Sequence, residues 1–164
     1  EGLKHWLRGS EIMGRGLPVA DYLALKGKDL GVSEWILVDQ GRIDKFAEVT
    51  GDHQFIHVNP ELARQTPFGT TIAHGYLTLS LLSAMAYDVM PGIEGTKMGV
   101  NYGLNSLRFL APVKSGKKVR GNFRMVDVVE RSPGAFMTTV EVKVEIEGED
   151  KPALAAEWVT LAYV

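Results

Sequence analysis

Alternating apolar and polar residues predict that the second half of the chain forms a sheet. From Val140 to Ile146, branched apolar residues alternate with charged ones, which is the period of a half-buried strand. Residues 118–125 alternate in the same way, and further strands are predicted near Met98–Phe109 and Leu154–Tyr163. Clusters of Pro, Gly and Ser separate these segments. The pattern predicts four long strands in an antiparallel meander.

One segment before these strands has a helical pattern. Residues Gly75–Met90 (GYLTLSLLSAMAYDVM) are apolar around most of the circumference of a helix, and such a helix has to be buried on nearly all sides. The sheet is the element available to cover it. An α+β fold is therefore predicted, with an antiparallel sheet curled around one long buried helix.

Helix signals also enclose a polar stretch in the first half. Asp39 is a candidate N-cap for a helix that ends before Gly51, and Asn59-Pro60 is a typical start for a short helix. Residues Asp52–His57 are thus predicted to form a loop held by a helix at each end. Such a loop can keep side chains in a fixed geometry.

The chain length predicts a single domain over residues 1–164. Residues 1–31 form an irregular or helical N-terminal extension in this prediction, with a short helix at Pro18–Lys26 and an irregular lead-in before it. A short strand is predicted at Trp35–Val38. No repeat or interdomain linker is visible.

Composition and charge narrow the possible partners. Hydrophobic residues make up 45% and charged residues 23% of the chain, and the net charge is −2, so neither nucleic acid nor a membrane surface is expected as a partner. There is no cysteine, which excludes disulfides, thiolate metal sites and cysteine nucleophiles. A cytoplasmic location is compatible with this composition and is the expectation.

The stretch TGDHQFIHVNP, residues 50–60, raises the question of chemistry. His53 and His57 have the spacing of a zinc protease motif, but Gln54 stands where that motif needs a glutamate. The glycine spacings of the chain match neither nucleotide-binding motif. No metal is expected.

Asp52 and His57 are a possible acid–base pair. An imidazole and a carboxylate that converge on one water are suited to proton transfer at neutral pH. The structural alternative is that Asp52 caps a helix end and His57 hydrogen-bonds a carbonyl, and these two residues alone leave both open. Gly75 adds a further element, because free amides at the start of a buried helix favour an oxyanion.

Two longer stretches carry a resemblance to a known family. "FAEVTGDHQFIHVNPELA" followed by "FGTTIAHGYLTLSLLS" resembles the MaoC-like dehydratases, which include the (R)-specific enoyl-CoA hydratases, and most resembles their NodN-like (nodulation protein N) branch. The resemblance implies a hot-dog fold, usually assembled as a homodimer or a larger homo-oligomer. It also implies interconversion of trans-2-enoyl thioesters and (R)-3-hydroxyacyl thioesters, with CoA or an acyl carrier protein as the carrier and no further cofactor.

Carried over by position, the resemblance assigns the catalytic pair to Asp52 and His57. It assigns the backbone N–H that holds the thioester oxygen to Gly75, and a supporting serine to Ser83. The chain departs from the family's hydratases at Gln54-Phe55, where they usually have Asn-Pro. Gln54 keeps an amide but is one methylene longer, and Phe55 adds bulk beside the site, while the acid–base pair is intact.

The remaining candidates have lesser roles. Gln54 and His74 are expected to support the site, and His53 is expected to be structural. Three residues are candidates for substrate binding: Tyr76, Arg108 and Lys117. Lys117 belongs to a basic run that could meet CoA phosphates or could equally be a solvated strand edge.

Two other functions stay open at this stage. A hot-dog thioesterase would release the free thiol, whereas hydration consumes only the conjugated double bond. A non-catalytic acyl-thioester-binding protein would bind ligand without turnover, and loss of Asp52 would leave its affinity intact.

Overall fold

A six-stranded antiparallel sheet and several short helices make up the computed structural model, which describes residues 16–164. The lead-in predicted before Pro18 lies almost entirely outside the described residues. In the described part, the helices are α1 (Val19–Leu23), α2 (Gln40–Thr50), α3 (Phe55–Val58), α4 (Pro60–Ala63), α5 (Gly75–Ser80) and α6 (Leu82–Val89). The strands are β1 (Asp29–Val32), β2 (Ile36–Val38), β3 (Met98–Phe109), β4 (Lys117–Ser132), β5 (Ala135–Ile146) and β6 (Leu154–Tyr163).

The strand order differs from the predicted meander. Strands β4, β5 and β6 are consecutive neighbours, but β3 pairs with β6, while β1 and β2 pair with β4. The segment between β3 and β4 is not a hairpin turn: Val113 accepts a hydrogen bond from the Ala73 amide, and Gly116 donates one to Val38. These contacts take the chain across to the other edge of the sheet. The prediction of a four-strand meander was wrong on this point.

The central helix is also different from its prediction. It is divided at Leu81, whose amide is shared between the carbonyls of Leu77 and Thr78, both at 3.2 Å. One face is buried, as Leu82 and Met85 show. Tyr76 and Tyr87, however, are 66% and 54% exposed in the single chain. A single helix buried on nearly all sides was therefore wrong for the isolated chain.

The buried face of these helices packs against the inner face of the sheet. Phe123 and Met125 of β4 and Val140 and Val142 of β5 are buried in one cluster with Leu82 and Met85. The alternation of β4 and β5 predicted this inner face correctly. No helix of the described residues is both long enough and apolar enough to cross a bilayer.

The predicted helix ends are confirmed, and they hold the polar stretch at both sides. The Arg42 amide donates to Asp39 Oδ1 at 2.9 Å, and the Leu62 amide donates to Asn59 Oδ1 at 3.1 Å. Gly51 ends α2 with a φ of 78°, a left-handed conformation that suits glycine. The stretch between them is not all loop, because residues 55–58 form the one-turn helix α3. His57 therefore lies on a helix rather than on the predicted loop.

Candidate active site

His57 is buried and held by its neighbours. Its side chain lies on α3, its amide donates to the Gln54 carbonyl at 3.0 Å, and its Nδ1 lies 2.7 Å from the Ile72 carbonyl oxygen. A carbonyl only accepts, so Nδ1 carries the hydrogen and the lone pair is on Nε2. The structural alternative expected a bond from His57 to a carbonyl, and this bond exists. It also leaves Nε2 available as a base.

The environment of His57 favours its neutral form. Burial away from water lowers the pKa of the imidazole below its usual 6.5, and the neighbouring His74 acts in the same direction. The bond to Ile72 and the charge of Asp52 raise the pKa, but the lowering prevails. His57 is therefore an unprotonated base at neutral pH.

Asp52 lies in the loop before α3 and is exposed. Its Oδ1 accepts a hydrogen bond from the Gln54 amide at 3.3 Å, so the main chain of Gln54 braces both Asp52 and His57. A carboxylate oxygen of Asp52 and one ring nitrogen of each of His57 and His74 lie within 4.8 Å of one another. The structure thus brings together the two residues predicted to be catalytic.

His74 lies directly against this pair. It is only 2% exposed, and its ring stacks on that of His57 with the centroids 3.8 Å apart and an interplanar angle of 23°. Its Nε2 lies 2.9 Å from the main-chain oxygen of Asp52. Its Nδ1 is buried without a hydrogen-bond partner among the described residues.

These three side chains are also a conceivable metal cluster, but their geometry is unfavourable. The lone pair of a ring nitrogen lies in the plane of its ring, so two histidine ligands have to aim their rings at one point. The nearly parallel rings of His57 and His74 do not converge in this way. One nitrogen of each ring is also already bonded to a carbonyl.

A cavity of about 410 Å³ opens beside His57. Its walls are mainly apolar, and they come from the segments 68–78 and 109–113 together with Ala153. Gly75 and Tyr76 line it, so two further predicted site residues lie with His57. A cavity of this size can hold a small acyl group beside the base.

Gly75 is fitted closely to the cavity wall. A Cβ at this position would lie 2.9 Å from two ring atoms of Phe109, which is closer than a real Cβ atom approaches. As the first residue of α5, Gly75 has no partner for its amide within the helix, because the first helical bond is donated by Leu77. Its N–H is thus a candidate donor to a bound oxygen.

Other predicted residues lie elsewhere. Ser83 lines a second cavity of about 300 Å³, together with Tyr22 and Trp158. Arg108 is exposed, and its Nη1 donates to the Leu107 carbonyl. Lys117 Nζ lies 3.9 Å from Glu149 Oε1, and Lys117 does not line the cavity beside His57. Their predicted roles stay predictions.

The sequence reasoning missed a polar clamp behind the site. Gln40 Nε2 donates to the His57 carbonyl at 2.7 Å, and Gln40 Oε1 accepts from the Thr71 hydroxyl at 2.5 Å. These partners are 17 and 31 positions away from Gln40. No local pattern in the sequence could have identified them, since a glutamine in a first helical turn is ordinary.

The chain is similar to several known proteins. Residues 23–148 match the family described as MaoC like domain. The chain is 55% identical over 146 residues to "Nodulation protein N" of Rhizobium leguminosarum bv. viciae, covering 88% of this chain and 91% of that protein. It is 47% identical over 139 residues to "3-hydroxyacyl-thioester dehydratase Z" of Mycobacterium tuberculosis, covering 85% and 91%.

The fold is similar to that of a solved hydratase. The structure of the "(R)-hydratase from A. caviae involved in PHA biosynthesis" matches with a TM-score of 0.64 and 26% identity, covering 80% of this chain and 96% of that one. The prediction of a hot-dog fold is thereby confirmed.

Proposed function

Since this chain belongs to the MaoC-like dehydratase family, we propose that it interconverts trans-2-enoyl thioesters and (R)-3-hydroxyacyl thioesters, with Asp52 and His57 acting on one water. A hydratase or dehydratase activity on hydroxyacyl thioesters is supported by the relatives as a group. The (R)-enoyl-CoA specificity and the roles of the two residues are the proposal.

One observation carries this proposal: the Asp52 carboxylate and a ring nitrogen of His57 lie within 4.8 Å of each other beside a mainly apolar cavity. A water that makes one hydrogen bond to each group spans up to about 5.6 Å, since each bond is about 2.8 Å long. The gap therefore fits a single bridging water. Both groups would hold that water next to the cavity that His57 lines.

In the proposed hydration, the water oxygen forms a bond to C3 of the enoyl thioester and loses a proton to the site. The electron pair of the double bond shifts toward the carbonyl carbon and the carbonyl pair moves onto the thioester oxygen, giving an enolate. The enolate reverts to the thioester as C2 takes up the proton that the site removed from the water. His57 Nε2 is suited to accept the first proton because Nδ1 is committed to Ile72. Asp52 orients the water and favours the imidazolium that forms.

The developing charge on the thioester oxygen needs a donor, and the Gly75 N–H is the proposed one. Gly75 lines the same cavity as His57, and donors aimed at a developing oxyanion are among the larger contributions to catalysis. Dehydration is the same sequence in reverse. The reaction uses only water and the thioester.

We also propose that the protein is a homodimer or a larger homo-oligomer. Strand β3 pairs only with β6 among the described residues, so its other edge is open. Its exposed side chains include Met98, Val100, Tyr102 and Leu104. A long apolar edge of this kind is normally covered.

The test is a panel of trans-2-enoyl-CoA substrates of increasing chain length, followed by loss of the enoyl absorbance and by assay of free thiol. We expect loss of absorbance without thiol release, and an (R)-3-hydroxyacyl product by chiral analysis. His53→Ala serves as a matched control, since His53 is exposed and adjacent to Asp52. Thiol release would identify a thioesterase instead, and binding without turnover would identify a binding protein.

A further inference from the structure

We propose that His74 is a positioning residue that holds the Asp52 main chain and the face of the His57 ring at the same time, and so sets the gap in which the water is bound. This inference rests on the proposed function, because the gap matters only if the two groups act together. It concerns a residue that contacts both members of the pair and does not line the cavity beside His57.

The first contact is the hydrogen bond to Asp52. A main-chain oxygen can only accept, so His74 Nε2 is the donor in the 2.9 Å contact. Asp52 is exposed, and within residues 16–164 its side chain is bonded only to the nearby Gln54 amide at 3.3 Å. The bond from His74 ties this loop residue to the start of α5, 22 positions away.

The second contact is the stacked ring. The ring centroids of His57 and His74 are 3.8 Å apart. Phe46 packs against the His74 ring, with a centroid distance of 4.9 Å. His57 is thus supported on one face while its Nδ1 bond to Ile72 sets its rotation. One side chain therefore fixes both members of the pair relative to each other.

The cost of this arrangement argues against a purely structural role. With the hydrogen on Nε2, His74 Nδ1 is a buried acceptor to which the described part of the chain supplies no donor, and such groups destabilise the folded state. A phenylalanine would fill the same space and stack in the same way without that cost. The choice of histidine is explained by its donor to Asp52.

The experiment compares His74→Phe, which keeps a ring but has no donor, with His74→Gln, whose amide has a donor of suitable reach. We expect His74→Phe to unfold at the same temperature as the parent or higher. Its kcat should fall about 10- to 100-fold with little change in KM, as for a displaced catalytic group. His74→Gln should have a kcat at least about threefold above that of His74→Phe.

The matched control is His53→Phe, the same substitution at an exposed position, which should leave kcat unchanged. If His74→Phe does not fold, His74→Met, which also lacks a donor, takes its place. A fall in kcat smaller than tenfold, or a glutamine variant no better than the donor-free one, would overturn the inference.

A second measurement needs no substrate. NMR titration gives the pKa of His57, and Asp52→Asn should lower it in the parent because the Asp52 charge raises it. The titratable groups that act on the His57 ring are Asp52 and His74. Asp44 of α2 accepts a hydrogen bond from Gln40, which also donates to the His57 carbonyl. In the His74→Phe background this lowering should be at most about half as large, since Asp52 is no longer held near the ring.

Equal lowering in both backgrounds would overturn the inference whatever the activity. If the titrations behave as expected and the parent does not hydrate enoyl thioesters, the proposed function is wrong and the positioning of Asp52 by His74 stands.

Discussion

Gly75 and Phe109 are packed so closely that no side chain fits between them. A Cβ on Gly75 would lie 2.9 Å from Cδ1 and Cε1 of the Phe109 ring. The first residue of α5 therefore packs against Phe109 because it has no side chain, and this contact can be tested without changing any polar group.

We expect Gly75→Ala to lower kcat/KM by about 10²-fold, because the new methyl group displaces either the ring or the amide proposed to hold the thioester oxygen. Phe109→Leu in the same chain should recover much of the loss by making room for the methyl group. Phe109→Leu alone is the control for the changed wall. Steady-state kinetics on one enoyl-CoA would measure kcat/KM for the two single variants and the double variant. A fully active Gly75→Ala enzyme would argue against the proposal that the Gly75 amide holds the thioester oxygen.

Asp52→Asn and His57→Ala should each lower kcat by at least about 10²-fold with little change in stability, since positioned acid–base groups contribute roughly 3–5 kcal/mol to a barrier. The double variant should be hardly worse than the poorer single one, because groups that act as a unit are not additive. His53→Ala should be mild. Damage from His53→Ala equal to that from His57→Ala, together with an active Asp52→Asn enzyme, would contradict the pair.

The lowered pKa of His57 predicts the acid limb of the pH profile. A base has to be unprotonated, so kcat/KM should rise with pH through the folded pKa of His57, with a midpoint below the usual 6.5. His57→Ala should lose this limb from its residual rate. A midpoint above 6.5 would mean that His57 is not the base that titrates.

The same group affects the free energy of unfolding. The unfolded chain takes up a proton near pH 6.5, whereas the folded chain does so only at lower pH. The contribution of His57 to stability is thus present above about pH 6.5 and is lost as the pH falls toward the folded pKa. Denaturant unfolding at pH 7.5 and pH 5 measures this effect. The free energy of unfolding should fall more between the two pH values in the parent than in His57→Ala.

Gln54 acts through its main chain, since its amide donates to Asp52 and its carbonyl accepts from His57. Gln54→Leu should therefore keep most of the activity. Gln54→Pro removes the side-chain amide and, in addition, the main-chain N–H, at a residue whose φ of −56° suits proline, and its kcat should be clearly lower than that of Gln54→Leu. If the leucine variant is the poorer one, the side-chain amide supports the acyl pocket, as the family's asparagine position suggests.

The open edge of β3 predicts the effect of added charge on assembly. Val100→Lys with Leu104→Lys should reduce the mass measured by light scattering at micromolar concentration, because two charges would face each other across the joined edges. Val49→Lys, at a residue that is 80% exposed on α2, is the control and should leave the mass unchanged. A parent protein that is already a monomer would contradict the assembly.

Local signals in the sequence predicted the parts of the fold that depend on neighbouring residues. The caps Asp39, Gly51 and Asn59 are of this kind, since each acts within one helical turn. The side of β4 and β5 that faces the core also follows from their alternation. The division at Leu81 did not follow, because propensity and periodicity are the same on both sides of it.

The candidate site was predicted where it coincides with a motif and missed where it depends on contacts between segments. Asp52 and His57 were assigned as the catalytic pair from the resemblance of the two quoted stretches, since the two residues alone left the structural alternative open. The stacking of His74 on His57, and the clamp from Gln40 and Thr71, join segments 17 to 31 positions apart. The position of β3 beside β6 has the same cause, since it is decided by contacts of the connecting segment and not by the strands themselves.

The position of α1 has a consequence for the order of folding. Its Tyr22 is 5% exposed and shares a hydrogen bond of 2.9 Å with Thr138 of β5, 116 positions away. A helix of five residues is not stable alone, and its site does not exist until β5 has paired with its neighbours. We therefore infer that α1 docks late, after the sheet has formed, and that the start of the described chain is the last part to become protected from hydrogen exchange.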